Sequence, residues 1–587
     1  MKKHSPTRAH NTHHIDAQIR GNPEQGLPKR QSKTHPPAAA SLDNPLYYLE
    51  NARTLIRWVC SLHADLLTED ERVSLANLLG AKTAAQALLI RMVMRTQTIY
   101  RVSQIEHYEE IQHPTESLLA DLADIGMVRL DPKIELKDLS RLLSRDELLN
   151  IHNQLLPSLP KSASKQRIEI ALQTGIDTPQ SAQTLSDWLS SPTPSVALSC
   201  QPLFDRLRLM FFGNMRQNWS EFVVTELGYF NYEPVELDQS SRAFHHRSEV
   251  NQYLFLNQIA DQYEHIGLSE RIAAAQSIEP INDWIGGRYA RLIFTLGQEA
   301  ERTGQVELAL SLYRESGLGD AFIRELRVLE RNTAPETVNQ RITEGNERKL
   351  TPLHQLAIER VRSRTLKKLG LDTKAPKLRT PAEFKLQIPK PDRSVEMASV
   401  EALSTDTAPL AYVENCLINS VFGLLFWDAL YAPVPGAFFH PFQSHPADLY
   451  RSAFVSKRPQ LIKEAFDALD ENRHRDIITQ RYTQKRGKTN AFIHWSVVTQ
   501  DLLERALDLI PASHLKLIFE RLLSDIRTHR SGFPDLIQFD LEQQSYRLIE
   551  VKGPGDRLQD NQKLWLDYFV EHQIPCSVCW VSWEPSV

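Results

Sequence analysis

Gly532-Phe-Pro-Asp-Leu-Ile-Gln-Phe-Asp540 and Tyr546-Arg-Leu-Ile-Glu-Val-Lys552 decide the fold of the C-terminal part of the chain. Leu536-Ile-Gln-Phe is a short apolar run after Pro534, which predicts a strand. Tyr546–Lys552 alternates and is rich in strand formers, which predicts its partner. The polar residues 540–545 between them predict a hairpin connection. From 558 to 573, Leu558, Leu564, Trp565, Tyr568 and Phe569 fall on one helix face. Cys576-Ser-Val-Cys-Trp-Val-Ser582 then reads as a third, apolar strand, giving a β-β-α-β unit.

The polar residues of this unit carry the chemistry. Asp535 stands where the first strand begins. Glu550 and Lys552 are two apart on the second strand, so both side chains leave the same face. Two acids and a lysine at one sheet end make a hard, oxygen-rich site with a cation beside it. Mg²⁺ or Mn²⁺ prefers such ligands and keeps positions open for water and a phosphate oxygen. The lysine can hold or polarise an attacking water, or neutralise phosphate charge. Gln562, on the following helix, is a further active-site candidate. The plainer alternative is a surface hairpin in which Glu550 and Lys552 form a weak ion pair. Against it stands the full pattern, PD–x₁₄–ExK inside β-β-α-β packaging. That pattern resembles the PD-(D/E)xK nuclease superfamily, and Gly532-Phe-Pro-Asp-Leu through Lys563-Leu-Trp565 resembles its VRR-NUC branch.

At 587 residues the chain is expected to be multidomain. A hydrophobic content of 41% and a charged content of 24% are those of a globular protein. No apolar run is long enough for a membrane span, and Met1-Lys-Lys-His-Ser-Pro has no apolar signal core. Five cysteines are scattered, and Cys576-x-x-Cys579 lies in an expected strand, where residues three apart face opposite ways. Buried thiols in a reducing cytosol fit better than a redox or zinc pair. The formal net charge of −5 argues against a diffuse nucleic-acid binder, so cations that meet DNA must be clustered.

Residues 1–45 are basic and rich in Pro, His and Ala, which predicts a disordered tail. Residues 46–250 predict a helical region. In it, Arg91, Arg95 and Arg101 mark either a solvated helix face or a phosphate-contacting surface. Within 139–172, two short amphipathic helices flank a basic, Ser-rich turn and resemble a SAP module, although the module's usual glycine-lysine core is missing. Ser164 suits an N-cap there, and Lys161, Lys165 and Arg167 gather at the helix start, where phosphate is favoured. A plain helical hairpin is the alternative. Arg242-Ala-Phe-His-His-Arg247 is a basic-aromatic cluster that reads as a DNA contact or a solvated loop. Residues 251–370 predict helices, with one tetratricopeptide-like pair around Leu296, Gly297, Ala300, Ala309 and Tyr313. The Pro-rich, charged residues 371–400 predict a linker, and 401–587 the nuclease domain with a helical front half.

The order of SAP-like, tetratricopeptide-like and VRR-NUC segments resembles the Fanconi-associated nuclease family. Leu46-Tyr-Tyr-Leu49, His107-Tyr-Glu-Glu-Ile111, Glu414 with Gly423-Leu-Leu-Phe-Trp-Asp428, and Arg530 through Leu566 carry the likeness. The resemblance implies a fold that is mostly α-helical in its N-terminal and tetratricopeptide-like regions, with a C-terminal α/β PD-(D/E)xK (VRR-NUC) domain. It implies a metal-dependent, structure-specific DNA nuclease, cutting near 5′ flaps and degrading 5′→3′, in interstrand cross-link repair. It carries over Asp535, Glu550 and Lys552, adds Glu414 as a metal ligand, and makes the Val551 carbonyl a further one. The implied partner is branched or 5′-flap DNA. The ubiquitin-binding zinc finger of eukaryotic members has no matching Cys/His pattern here, so a bacterial, cytoplasmic member acting at the nucleoid is expected; a eukaryotic source would imply the nucleus. A binding-only repair scaffold with an inactive nuclease fold remains open, as does a nuclease of other nucleic-acid specificity.

Overall fold

The computed structural model describes residues 43–95, 97–175, 182–217, 231–261, 266–345, 348, 350–371 and 378–584. The tail expected over 1–45 lies almost wholly outside the described residues. The chain divides into two units, one of residues up to 230 with 238–250, the other of residues 231–237 with 251–587. Among the described residues no helix is long and apolar enough to cross a membrane.

The first unit is helical with one small sheet. Helix Tyr47–His63 buries Leu49, Ala52, Leu55, Ile56 and Val59, a stripe at helical spacing. Helix Glu69–Gly80 starts at a capping box in which Thr68 and Glu71 satisfy each other's backbone amides. Strands β1 (Ile99–Arg101), β2 (Val128–Leu130) and β3 (Ser195–Leu198) form an antiparallel sheet in the order β1-β3-β2. Described residues within 134–189 build a small core of their own around Leu139, Leu148, Ile168, Leu185 and Trp188. Two helices, Arg145–Leu155 and Lys165–Gly175, frame it. Ser164 accepts from the Arg167 amide at 3.3 Å, the expected cap.

The second unit begins with a run of helices. Asp283–Arg302 and Val306–Ser316 pack as a pair because Gly297 lets Tyr313 approach: a Cβ on Gly297 would stand 2.9 Å from the Tyr313 ring. Helices Gly319–Asn332, Pro335–Glu344 and Pro352–Lys368 continue the run. Ion pairs lace it together; Glu325, fully buried, is met by both Arg314 and Arg341.

A five-stranded mixed sheet follows. Strands β4 (Ala382–Ile388), β5 (Leu410–Tyr412), β6 (Leu536–Asp540), β7 (Ser545–Lys552) and β8 (Cys576–Trp583) lie in the order β4-β8-β7-β6-β5. The hairpin β6–β7, helix Asp560–Glu571 and β8 are the β-β-α-β unit read from the sequence. Two strands were not. β4 lies inside the linker expected over 371–400 and pairs in parallel with β8 along seven residues. Its Phe384 and Leu386 pack against the core formed by Leu536, Ile549, Val551 and Val581. Prolines at 381 and 389 bracket the strand and disguised it, since Pro is excluded from strand interiors but not from their ends. Residues 372–377 of that stretch lie outside the described residues.

The other sheet face is covered by helices. Leu417–Leu425 has all nine residues buried and is the centre of this layer. Helices Pro459–Asp470, His474–Gln484, Gln500–Leu509 and Ala512–Ser524 surround it. Arg458 and Asp448 form a buried two-pronged ion pair at 2.8 and 3.0 Å beside this core. Residues 231–237 also belong to this body. Val235 and Leu237 pack on its core. The Thr489 amide donates to the Asn231 carbonyl at 2.7 Å, Lys488 donates to the Tyr232 carbonyl at 2.8 Å, and Lys485 pairs with Glu233. The basic loop 484–490 is therefore an anchor for this segment.

Candidate nuclease site

Register brings the acids together. Leu536 pairs with Ile549 across the β6–β7 hairpin, so the next pair outward sets Asp535 against Glu550. Both lie on the helix-covered face, because Ile537 and Phe539 on one strand and Tyr546 and Leu548 on the other point into that core. The same alternation puts Lys552 beside Glu550, with Nζ 2.6 Å from Oε1.

The loop entering Asp535 is held from three sides. Gly532 has φ +90°, and a Cβ there would come within 2.7 Å of Asn561 Cβ and 2.9 Å of the Asn561 backbone. Only glycine lets this loop rest on the start of helix 560–571. Phe533 stacks on Trp565 at 4.3 Å, and the Trp565 indole donates to the Ser531 carbonyl at 3.2 Å. Asn419, from the buried helix, donates to the Arg530 carbonyl at 2.8 Å. Asp535 itself accepts from the Val551 amide at 2.8 Å through Oδ2.

Glu550 is completely buried. Its Oε1 is held by Lys552 and by Gln562 Nε2 at 2.5 Å, whereas its Oε2 has no hydrogen-bond partner. Gln562 is fixed in turn, since its own oxygen accepts from the Gln559 amide at 2.8 Å. Burial first, then the nearby Asp535 charge, pushes the Glu550 carboxyl up to about 8. Burial likewise lifts Asp535 to about 6; Glu414 and Glu396 add to this, while the Val551 amide and Lys552 oppose it. A buried carboxylate oxygen without a donor, beside a second strained acid, is the environment a divalent cation relieves.

Glu414 stands at the rim. Its Oε2 accepts from the Tyr412 hydroxyl at 2.6 Å and its Oε1 from Asn415 Nδ2 at 3.3 Å. Tyr412 pairs with Leu536, and the Val413 amide donates to the Asp535 carbonyl at 2.8 Å, so this strand end runs beside Asp535. Among the described residues, no three or more His, Cys, Asp or Glu side chains form, as they stand, a group that could hold a metal ion. The donor set still fits a hard cation: two convergent carboxylates, one orphaned oxygen and a third acid at the edge. Sequence reading missed Glu396. It sits in the first turn of helix Val395–Leu403, near enough to bear on Asp535. Its position in the expected linker hid it, and an acid in a helix's first turn gives no functional signal by itself. Cys576 and Cys579 are free thiols, both raised to about 11 by burial, as expected of structural cysteines.

The expected DNA-contacting cations divide. Arg91, Arg95 and Arg101 do not share one helical segment: Arg91 ends helix Thr83–Val93, whereas Arg101 is on β1. Arg91 is paired with Glu110 at 2.5 Å and stacks 4.0 Å over Tyr48. Arg101 grips Glu147 with two bonds of 2.8 Å and holds that carboxyl down to about 2. Both guanidinium groups are half-buried and take acids to offset their desolvation. Arg95 lies 5.4 Å over the Tyr108 ring. Lys165 turns inward to the Leu143 carbonyl at 2.8 Å, while Lys161 and Arg167 are exposed. In the basic-aromatic cluster, Arg242 pairs with Asp65 and Arg247 with Glu71. The structure gathers Asp535, Glu550, Lys552 and Gln562 into one site and sets Glu414 beside it.

Comparison with known proteins gives the family. A family model described as the VRR-NUC domain matches residues 469–583, and one described as the FAN1 HTH domain matches 46–129. The Fanconi-associated nuclease 1 homolog of Pseudomonas aeruginosa is 39% identical over 557 residues, 94% of this chain and 98% of that protein. The homolog of Schizosaccharomyces pombe is 31% identical over 173 residues, 29% of this chain and 24% of its own length. The crystal structure of paFAN1 bound to 5′-flap DNA with a two-nucleotide flap and a gap superposes with a TM-score of 0.80 at 38% identity, over 93% of this chain and 100% of that one. On this identity, spread over nearly the full length of both proteins, the chain belongs to the Fanconi-associated nuclease family of metal-dependent, structure-specific DNA nucleases.

Proposed function

We propose that this chain hydrolyses phosphodiester bonds in branched DNA carrying a 5′ flap, as an endonuclease near the junction and a 5′→3′ exonuclease, in interstrand cross-link repair. The observation that carries the reading is the packing of Asp535, fully buried Glu550 and Lys552 at one sheet end, with Glu550 Oε2 left without a donor. The flap specificity rests on the flap-bound neighbour.

Asp535, Glu550, Glu414 and the Val551 carbonyl would hold Mg²⁺ or Mn²⁺. When bound, such an ion supplies Lewis acidity and a water acidified toward neutrality. Gln562 fixes the Glu550 carboxylate, leaving Oε2 for the ion. Lys552 faces the water or the scissile phosphate and offsets negative charge there; its stem is anchored in the sheet, so its ammonium is delivered without a search. Lys161 and Arg167 would take duplex phosphates; their exposure near the start of a helix capped by Ser164 supports this reading.

The test is cleavage of labelled 5′-flap, 3′-flap, duplex and single-stranded DNA with Mg²⁺ or Mn²⁺. The 5′ flap should be cut fastest, and Asp535→Ala and Glu550→Ala should bind it without cutting. Lys552→Ala should lose turnover while still binding Mn²⁺ by calorimetry. Cleavage at near wild-type rate by Asp535→Ala would sink the assignment, and equal cutting of all four substrates would remove the flap specificity.

A further inference from the structure

Tyr412 is a large side chain left 39% exposed on the edge strand β5. Its hydroxyl, however, is committed: it donates to Glu414 Oε2 at 2.6 Å. The other oxygen of Glu414 has only the longer 3.3 Å bond from Asn415. Asn415 is itself fixed, at φ +50°, by accepting from the Phe533 amide at 3.2 Å. The carboxylate is thus pinned through one oxygen, with the other lightly held. The strand end that carries it is tied to Asp535 by the Val413 amide.

We propose that Tyr412 is a positioning residue of the nuclease site: its hydroxyl holds Glu414 Oε2 so that Oε1 is presented to a divalent cation shared with Asp535 and Glu550. This rests on the proposed metal-site reading and deepens it. Without the hydroxyl, Glu414 is a mobile side chain at the rim of a site whose other two carboxylates are buried. Recruiting it would then cost the rotamer freedom that the phenol now removes in advance. Partners that orient a ligating carboxylate in this way typically change metal affinity by about 10–100-fold.

The experiment compares the full-length protein with Tyr412→Phe, which keeps the ring and deletes only the hydroxyl. Mn²⁺ binding by calorimetry should weaken about tenfold, and half-maximal flap cleavage should need about tenfold more Mn²⁺. The unfolding midpoint in EDTA should match wild type, which separates positioning from support of the fold. Tyr412→Phe binding Mn²⁺ as tightly as wild type, or more tightly, overturns the proposal. Asp535→Ala is run alongside: if it too binds Mn²⁺ like wild type, the metal-site reading itself has failed, whereas loss of binding there with none in Tyr412→Phe refutes Tyr412 alone.

Discussion

Glu550→Gln should abolish cleavage and yet stabilise the metal-free protein, by an amount that depends on pH. The Glu550 carboxyl has no exposure, one oxygen without a donor, and Asp535 beside it. These hold it up at about 8, against an ordinary value of 4.5. At 1.36 kcal/mol per pH unit, ionising it inside the fold costs about 5 kcal/mol. The folded chain keeps a proton that the unfolded chain releases above 4.5, so stability is greatest below that pH and is lost as pH rises, until the folded carboxyl ionises near 8. Between pH 5 and pH 8 the loss is about 3 kcal/mol. Asp535, raised to about 6, acts in the same direction over a narrower and lower window. Glutamine cannot ionise and keeps the shape of the protonated acid. Urea unfolding in EDTA, followed by tryptophan fluorescence at several pH values, should show wild type falling behind Glu550→Gln by about 3 kcal/mol across this range. Added Mn²⁺ selects the ionised form, so it should stabilise wild type increasingly as pH rises and the variant little. Parallel stability curves for the two proteins from pH 5 to pH 8 would refute the reasoning.

Gly532→Ala should lower cleavage and stability together, because the new Cβ meets the Asn561 backbone at 2.9 Å and the backbone is left-handed there; a cost of at least about 1–3 kcal/mol is expected in chemical unfolding. Arg458→Met should cost about 3–5 kcal/mol by stranding Asp448, and pairing it with Asp448→Leu should recover most of that in the same assay. Replacing Lys161 and Arg167 by Glu should flatten the slope of log affinity against log salt for flap DNA by about 2, measured by fluorescence anisotropy, and leave Mn²⁺ binding unchanged.

The catalytic hairpin was legible because three signals coincide in it: strand alternation, a fixed acid-to-acid spacing and a helix with its own apolar face. Asp535, Glu550 and Lys552 meet in space largely because β6 and β7 are neighbours in sequence as well. What stayed hidden was non-local. β4 gave no signal because its strand-forming residues are flanked by prolines and lysines, and its partner β8 lies far along the chain. Glu396 was hidden with it. The partners of the arginines were hidden for a different reason: sequence shows a cation but not the acid it will meet. Glu110 and Glu147 neutralise Arg91 and Arg101 across folds of the chain that no spacing rule could bring together. Glu414 came only from family likeness, since an acid before a buried helix has an ordinary reading as a dipole contact.

The placement of β8 between β4 and β7 has a consequence for how the protein is made. Ala382 pairs with Ser577, so the ribosome must add 195 residues (577 minus 382) after the first strand before its partner exists. At roughly 5–20 residues per second that is about ten to forty seconds during which β4 has an unpaired edge. The hairpin of β6 and β7 can close soon after it emerges, but it too waits for β8 on its other side. The nuclease body is therefore completed from its centre outward by a strand that arrives late. A nascent chain stalled before residue 576 would hold Asp535, Glu550 and Lys552 on an unfinished sheet. Helpers that bind exposed strand edges would be needed most in that interval, and a ribosome pausing there would yield a chain with every ligand present and no rigid site to hold them.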